Sequence, residues 1–249
     1  MSKLGDAIRR SQRVEAAPMG FAAARPAPKA TMLVGYIGTD AGSLEKAREA
    51  GAEVVLGRSA SEISPSTAER LHSGAGATPL GLWGAIGSNG TADLHKNGVD
   101  FLVIDPETTP AATLLNEDLG YVLVLPEEPD ELFLRSIEPL SFDALYLSSV
   151  PSPFTVAKQI TLNRIATLAR KPLACSVSPS SGTDDLQCLR AAGVALLLVE
   201  GDVAGVTQLK ESVLSLPARR QRRDDRPVVS LPRGQVPAEN DDDDDDGDP

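Results

Sequence analysis

The sequence predicts an α/β protein, a single closed (β/α)8 barrel with a disordered tail at each end. Three observations predict it. Eight short apolar runs follow one another between residues 31 and 216, separated by stretches of helical length. Most of the runs are continuously apolar rather than alternating, the pattern of strands buried on both faces. Glycines and capped prolines stand where a strand–helix alternation needs its stops and starts.

Taken in order, the first run is Met32–Ile37, and the helix after it stops at Ala50-Gly51-Ala52. The second run, Glu53–Leu56, leads to Ser64-Pro65, an N-cap residue before a proline suited to the first helical position. Pro79–Trp83 is the third, its helix ending at Asn97-Gly98-Val99, and Phe101–Ile104 the fourth, with Thr109-Pro110 as cap and Leu119-Gly120-Tyr121 as stop. Tyr121–Leu125 and Ala144–Leu147 follow, the latter leading to a cap at Ser152-Pro153. Leu173–Val177 is the seventh run, with its helix stopping at Ala192-Gly193-Val194. Ala195–Val199 is the eighth, and a last helix covers about Val203–Leu216. A glycine at each stop would take the left-handed conformation that closes a helix.

Alternating βα units force parallel pairing through right-handed crossovers. Eight of them fit a closed barrel, compact beside the ~250 residues typical of that fold. The competing architecture is an open doubly wound sheet. Against it stand the count of eight and the lack of a dinucleotide fingerprint after the first strand.

Composition bounds the function. The chain is 41% hydrophobic but only 4% aromatic, so Leu, Val, Ile and Ala must build the core. A net charge of -11 argues against a nucleic-acid partner and against docking on an anionic membrane. The two cysteines, Cys175 and Cys188, form no disulfide framework or Cys-x-x-Cys pair and read as inert packing thiols. No apolar stretch approaches the ~20 residues of a membrane span, and the basic N-terminus has no apolar signal core. The expected location is the cytoplasm.

Residues 1–30 are basic and rich in Ala and Pro. Residues 3–16 have helical character, with Leu4, Ala7, Ile8 and Val14 on one side and Lys3, Arg9, Arg10 and Arg13 elsewhere. Such a helix would dock a partner or its own acidic barrel. The expectation is a mobile segment, because isolated helices this short are marginal. Residues 217–249 carry Arg219, Arg220, Arg222 and Arg223 and then six aspartates, Asp241–Asp246, and read as a disordered tail. A protein partner would engage one of these ends.

In a barrel, a site forms where the strands' C-terminal ends meet the βα loops. No lysine and neither histidine (His72, His95) falls at a strand end, which removes Schiff-base and His-dependent chemistry. The carboxylates Asp105, Glu107 and Glu127 are the catalytic candidates, as base or Mg2+ ligand, with Asp40 and Glu200 nearby in the scheme. The competing reading makes them helix caps and first-turn acids. Trp83, Tyr36 and Tyr146 would line a pocket or fill the barrel.

Three segments carry a resemblance: Ser181-Gly182-Thr183-Asp184-Asp185-Leu186, Ala191-Ala192-Gly193-Val194 and Val199-Glu200-Gly201. Together they resemble the last two units of the phosphate- and flavin-binding members of the aldolase-type (TIM) barrel superfamily. The resemblance implies that Gly182 and Gly201 offer backbone N–H groups to a phosphate, with Ser181 and Thr183 adding hydroxyls. It makes FMN a candidate cofactor beside Mg2+, with neither assigned. The functional expectation is an enzyme holding a small phosphorylated or carboxylated ligand, or flavin, at the barrel's mouth. The alternative is a non-catalytic barrel that binds or scaffolds through its charged tails.

Overall fold

The computed structural model describes residues 2–12, 32–86, 91, 93–148, 150 and 153–217, all within one compact unit. Helix α1 (Lys3–Gln12) precedes β1 (Leu33–Gly38), α2 (Ala41–Glu49), β2 (Val54–Arg58), α3 (Pro65–Ala75) and β3 (Leu80–Trp83). There follow β4 (Phe101–Ile104), a 3-10 helix (Ala111–Leu115), β5 (Gly120–Val124), α4 (Glu131–Ile137) and β6 (Ala144–Leu147). The chain continues with α5 (Val156–Ala169), β7 (Leu173–Ser176), α6 (Thr183–Ala191), β8 (Val194–Glu200) and α7 (Val203–Ser215). Every neighbouring pair of strands is parallel, and β8 pairs back onto β1, closing the barrel in sequence order.

All eight expected strands form. Among the described residues, two of the expected helices do not. Between β3 and β4 the described residues 93–98 are turns, and between β4 and β5 only the 3-10 helix winds. Pro110 stands there as the cap at φ -59 and ψ 134, not as a first helical residue, and five residues of 3-10 helix suffice to reach β5. Gly84 and Gly98 flank the other link, and glycine disfavours helix by ~1 kcal/mol per residue. The cap expected at Ser152-Pro153 also moves. Thr155 is the cap, accepting the Lys158 N–H at 3.3 Å, and the helix begins at Val156. Ser64-Pro65 does cap α3, with the Ser64 hydroxyl accepting the Thr67 N–H at 3.2 Å.

Gly51, Gly98 and Gly193 adopt φ of 98°, 82° and 95°, the left-handed stops the sequence called for. Gly120 does not. It is the first residue of β5, and a side chain there would collide with Ser2 and the Asp143 carboxylate, so close approach rather than φ demands glycine.

Strand alternation sorts the apolar side chains into two layers. Leu33, Ile37, Val54, Leu56, Phe101, Val103, Val122, Leu196 and Leu198 fill the barrel. Val34, Tyr36, Val55, Leu102, Leu123, Leu145, Cys175 and Leu197 pack outward against the helices. Tyr36, a pocket candidate by sequence, therefore faces α2, while Tyr146 faces inward. Cys175 is fully buried, which pushes its thiol pKa up to about 12. Cys188 is half-buried on α6.

Helix α1 closes the barrel's N-terminal end. The fully buried Leu4, with Ile8, joins the inner layer. The Asp100 carboxylate, just before β4, accepts the Lys3 and Leu4 N–H groups at 2.7 and 2.8 Å and so caps α1 from across the floor. The Ser2 hydroxyl donates to Asp143 at 2.5 Å. The helix weighed for residues 3–16 thus forms over Lys3–Gln12, docked on its own barrel instead of mobile. Tertiary packing supplies what a ten-residue helix lacks on its own. Val14, the arginine cluster from Arg219 and the aspartate run lie outside the described residues. Among the described residues no helix is long and apolar enough to cross a membrane.

Candidate functional site

The inward-facing residues at the C-terminal ends of the strands make one connected row. Arg58 ends β2, Trp83 ends β3, Ser176 ends β7 and Glu200 ends β8, with Tyr146 inside β6. Register explains how they meet. Arg58 lies beside Trp83, while Glu200 lies beside Ile37 of β1, so only β1 separates Glu200 from β2. The Arg58 side chain crosses that one strand. Its guanidinium pairs with the Glu200 carboxylate, and its Cζ lies 4.2 Å from the centre of the Trp83 ring. Trp83 meets Tyr146 edge to face with centroids 5.0 Å apart, and the Tyr146 hydroxyl bonds the Ser176 hydroxyl at 2.7 Å. Burial raises the Tyr146 pKa above its usual value; the Ser176 bond and Arg58 pull it back in part, and Glu200 adds to the rise. Tyr146 is a neutral phenol at physiological pH.

Two clefts lie beside this row, next to β1, β2 and β3. One, of about 300 Å³, is walled by Thr39, Arg58, Ser59, Ala60, Trp83 and Gly84. The other, of about 350 Å³, shares Thr39, Arg58, Ser59 and Ala60 and adds Ser61, Thr67, Arg70 and Leu71. Neither wall contains a carboxylate. A third cleft, of about 270 Å³, opens between β4 and β5 with the opposite character, walled in part by Asp105, Glu107, Glu128 and Asp130.

The residues singled out by sequence scatter among these features. Asp105 is half-buried, and its carboxylate accepts the Glu107 N–H at 2.8 Å, closing its own turn. Glu107 is exposed in the same cleft, while Glu127 is exposed and outside its wall. Asp40 caps α2 through the Ser43 N–H at 2.9 Å, a bond that lowers its pKa. Among the described residues no three His, Cys, Asp or Glu side chains are close enough to share a metal ion.

Gly182 caps α6 with φ -66, Gly201 follows β8 at φ 74, and a side chain on either would meet open space. The Ser181 hydroxyl donates to the Ser178 carbonyl at 2.7 Å, and Thr183 is exposed at the start of α6. Acids flank both glycines: Asp184 and Asp185 in the first turn of α6, Glu200 and Asp202 about Gly201. Sequence reasoning named Trp83 and Tyr146 as aromatics that line a pocket or fill the barrel, and Glu200 among the carboxylates of the mouth. It missed that barrel closure joins them, and it gave Arg58 no role.

No protein-family model matches the chain, and no curated protein matches it in sequence. Solved structures do match in shape. Tryptophan synthase from M. tuberculosis, in an open form with BRD0059 bound, superposes with a TM-score of 0.58 at 12% identity. That match covers 85% of this chain and 98% of the other. A protein from Aquifex aeolicus VF5 gives 0.59 at 12% identity, covering 86% and 99%. A mutant tryptophan synthase alpha-subunit from the hyperthermophile Pyrococcus furiosus gives 0.53 at 15%, covering 74% and 97%. Identity this low speaks for fold alone. The chain is a (β/α)8 barrel, and its eight-stranded closure and the coverage of whole barrels agree on that class. This fold class carries many unrelated functions, so function rests on the residues at the chain's own mouth.

Proposed function

We propose that this barrel binds a small phosphorylated or carboxylated molecule at its C-terminal mouth, as an enzyme holds a substrate. One observation carries the reading: a cleft of ligand size beside β2 whose wall brings together two arginines, Arg58 and Arg70, and four hydroxyl residues, with no carboxylate. Guanidinium groups and hydroxyls are the donors that recognise phosphate and carboxylate. Asp105 and Glu107, in the separate cleft beside β4, are the candidates for proton transfer, with Glu127 exposed outside that wall. The glycine pair Gly182 and Gly201, with Ser181 and Thr183, is the competing anion position. Its open backbone favours it and its four acidic neighbours oppose it. For the same reason the chain's residues do not fit an FMN phosphate there.

The test is a native mass spectrum of the full chain, followed by calorimetric titration with phosphorylated and carboxylated metabolites. A retained small acid, or saturable heat with one of them, is expected. A clean apo mass with no heat from any member of the panel overturns the reading. The second reading is a non-catalytic module working through its charged ends. It predicts binding without turnover, and a protein partner lost on removal of residues 217–249.

A further inference from the structure

Arg58 is the best-positioned cation at the mouth, yet Glu200 already occupies it. The two side chains are 39% and 53% exposed, so the pair is only weakly stabilising and easily parted. The guanidinium is nonetheless held in place. Trp83 covers one face, Tyr146 fixes Trp83, and Ser176 holds Tyr146, a relay through β3, β6 and β7. The carboxylate half of the pair is the less firmly held, because Glu200 makes no other side-chain hydrogen bond or ion pair among the described residues. Arg70, on α3, lines the same 350 Å³ cleft and has no ion-pair partner among the described residues.

We propose that Glu200 is an internal substitute for the ligand's carboxylate: a small molecule bearing two anionic groups displaces it from Arg58, setting one carboxylate on Arg58 beside Trp83 and its second anion toward Arg70. This rests on the reading that the mouth binds a small acid, and it names the subsite and the ligand class. The contact chemistry is already visible, since the Arg58 guanidinium donates to a carboxylate at that position. Ligand exchange then replaces one carboxylate on Arg58 by another.

Trp83 is the only tryptophan in the chain, so its fluorescence reports this subsite alone. The full-length protein is titrated at constant ionic strength with succinate, acetate and inorganic phosphate, following both Trp83 emission and heat. Succinate is expected to bind more tightly than acetate and to change the emission. Glu200→Gln should tighten succinate about two- to fivefold, the range set by the weakness of an exposed ion pair. Arg58→Gln should weaken it by about tenfold or more, as expected for a lost charge-assisted bond, and Arg70→Gln should bring succinate down to the level of acetate. Thermal melts establish that each variant folds, with Arg58→Lys as the variant that keeps the charge. If acids bind calorimetrically while Trp83 stays silent and Arg58→Gln and Glu200→Gln change nothing, this subsite is wrong though the mouth still binds acids. Arg58-dependent binding of phosphate but not of succinate refutes the carboxylate assignment. No heat from any acid removes both readings.

Discussion

Replacing Leu4 by alanine tests whether α1 belongs to the barrel. Leu4 is fully buried among Leu33, Phe101 and the other side chains of the inner layer. The change removes three carbons, about 2.4 kcal/mol at ~0.8 kcal/mol per buried methylene. A residual cavity raises the total to about 3 kcal/mol, inside the ~2–5 kcal/mol span of buried Leu→Ala changes. In a domain of this size that lowers Tm by roughly 6–12 °C, at ~2–4 °C per kcal/mol. Trp83 sits at the opposite end of the barrel, so its fluorescence reads the global transition. Arg9→Ala, on the exposed side of α1, is the control and should stay within ~0.5 kcal/mol. If Leu4→Ala shifts helical circular dichroism but leaves the Trp83 midpoint where it was, α1 is a separable appendage and the account of the barrel floor is wrong.

Three further outcomes follow from particular residues. Gly98→Ala meets both a φ of 82° and the His72 ring, and should cost about 1–3 kcal/mol in urea unfolding. Gly182→Ala has φ -66 and open space, so stability should hold within ~0.5 kcal/mol; a loss of acid binding in that folded variant would move the anion to the glycine pair. Asp143 is raised above 3.8 chiefly by burial, with Asp100 adding to the rise and the Ser2 bond opposing it. Its protonated form therefore favours the fold: that contribution is complete below pH 3.8 and is lost as pH rises through the elevated value. Asp143→Asn, which can still accept the Ser2 hydroxyl, should melt higher than the parent at pH 7 and lose that advantage on acidification. A variant that melts lower at pH 7 contradicts the burial argument.

The eight strands were legible because both of their faces are covered. A run such as Phe101–Ile104 has to be apolar throughout when alternate side chains enter the barrel and the helix layer. The stops at Gly51, Gly98 and Gly193 were legible because a positive φ is a local demand on one residue. The Ser64 cap was local in the same way. What failed was also instructive. Thr109-Pro110 carries the local marks of an α-helix start, but the short route to β5 admitted only a 3-10 turn.

The remaining features depend on distant partners. Lys3 and Leu4 find their cap in Asp100, some 96 to 97 positions away, so no window of sequence shows why α1 stays folded. Gly120 reads as a helix stop until Ser2 and Asp143 arrive beside it. Arg58 and Glu200 are 142 positions apart and meet only because β8 closes onto β1. The sequence alone determined which segments are strands and where many helices begin and end, since each follows from local pattern. Only the tertiary structure decided which end of the chain plugs the barrel, which carboxylates stay apart and which arginine stands at the mouth, because each is set by closure between residues that nothing local connects.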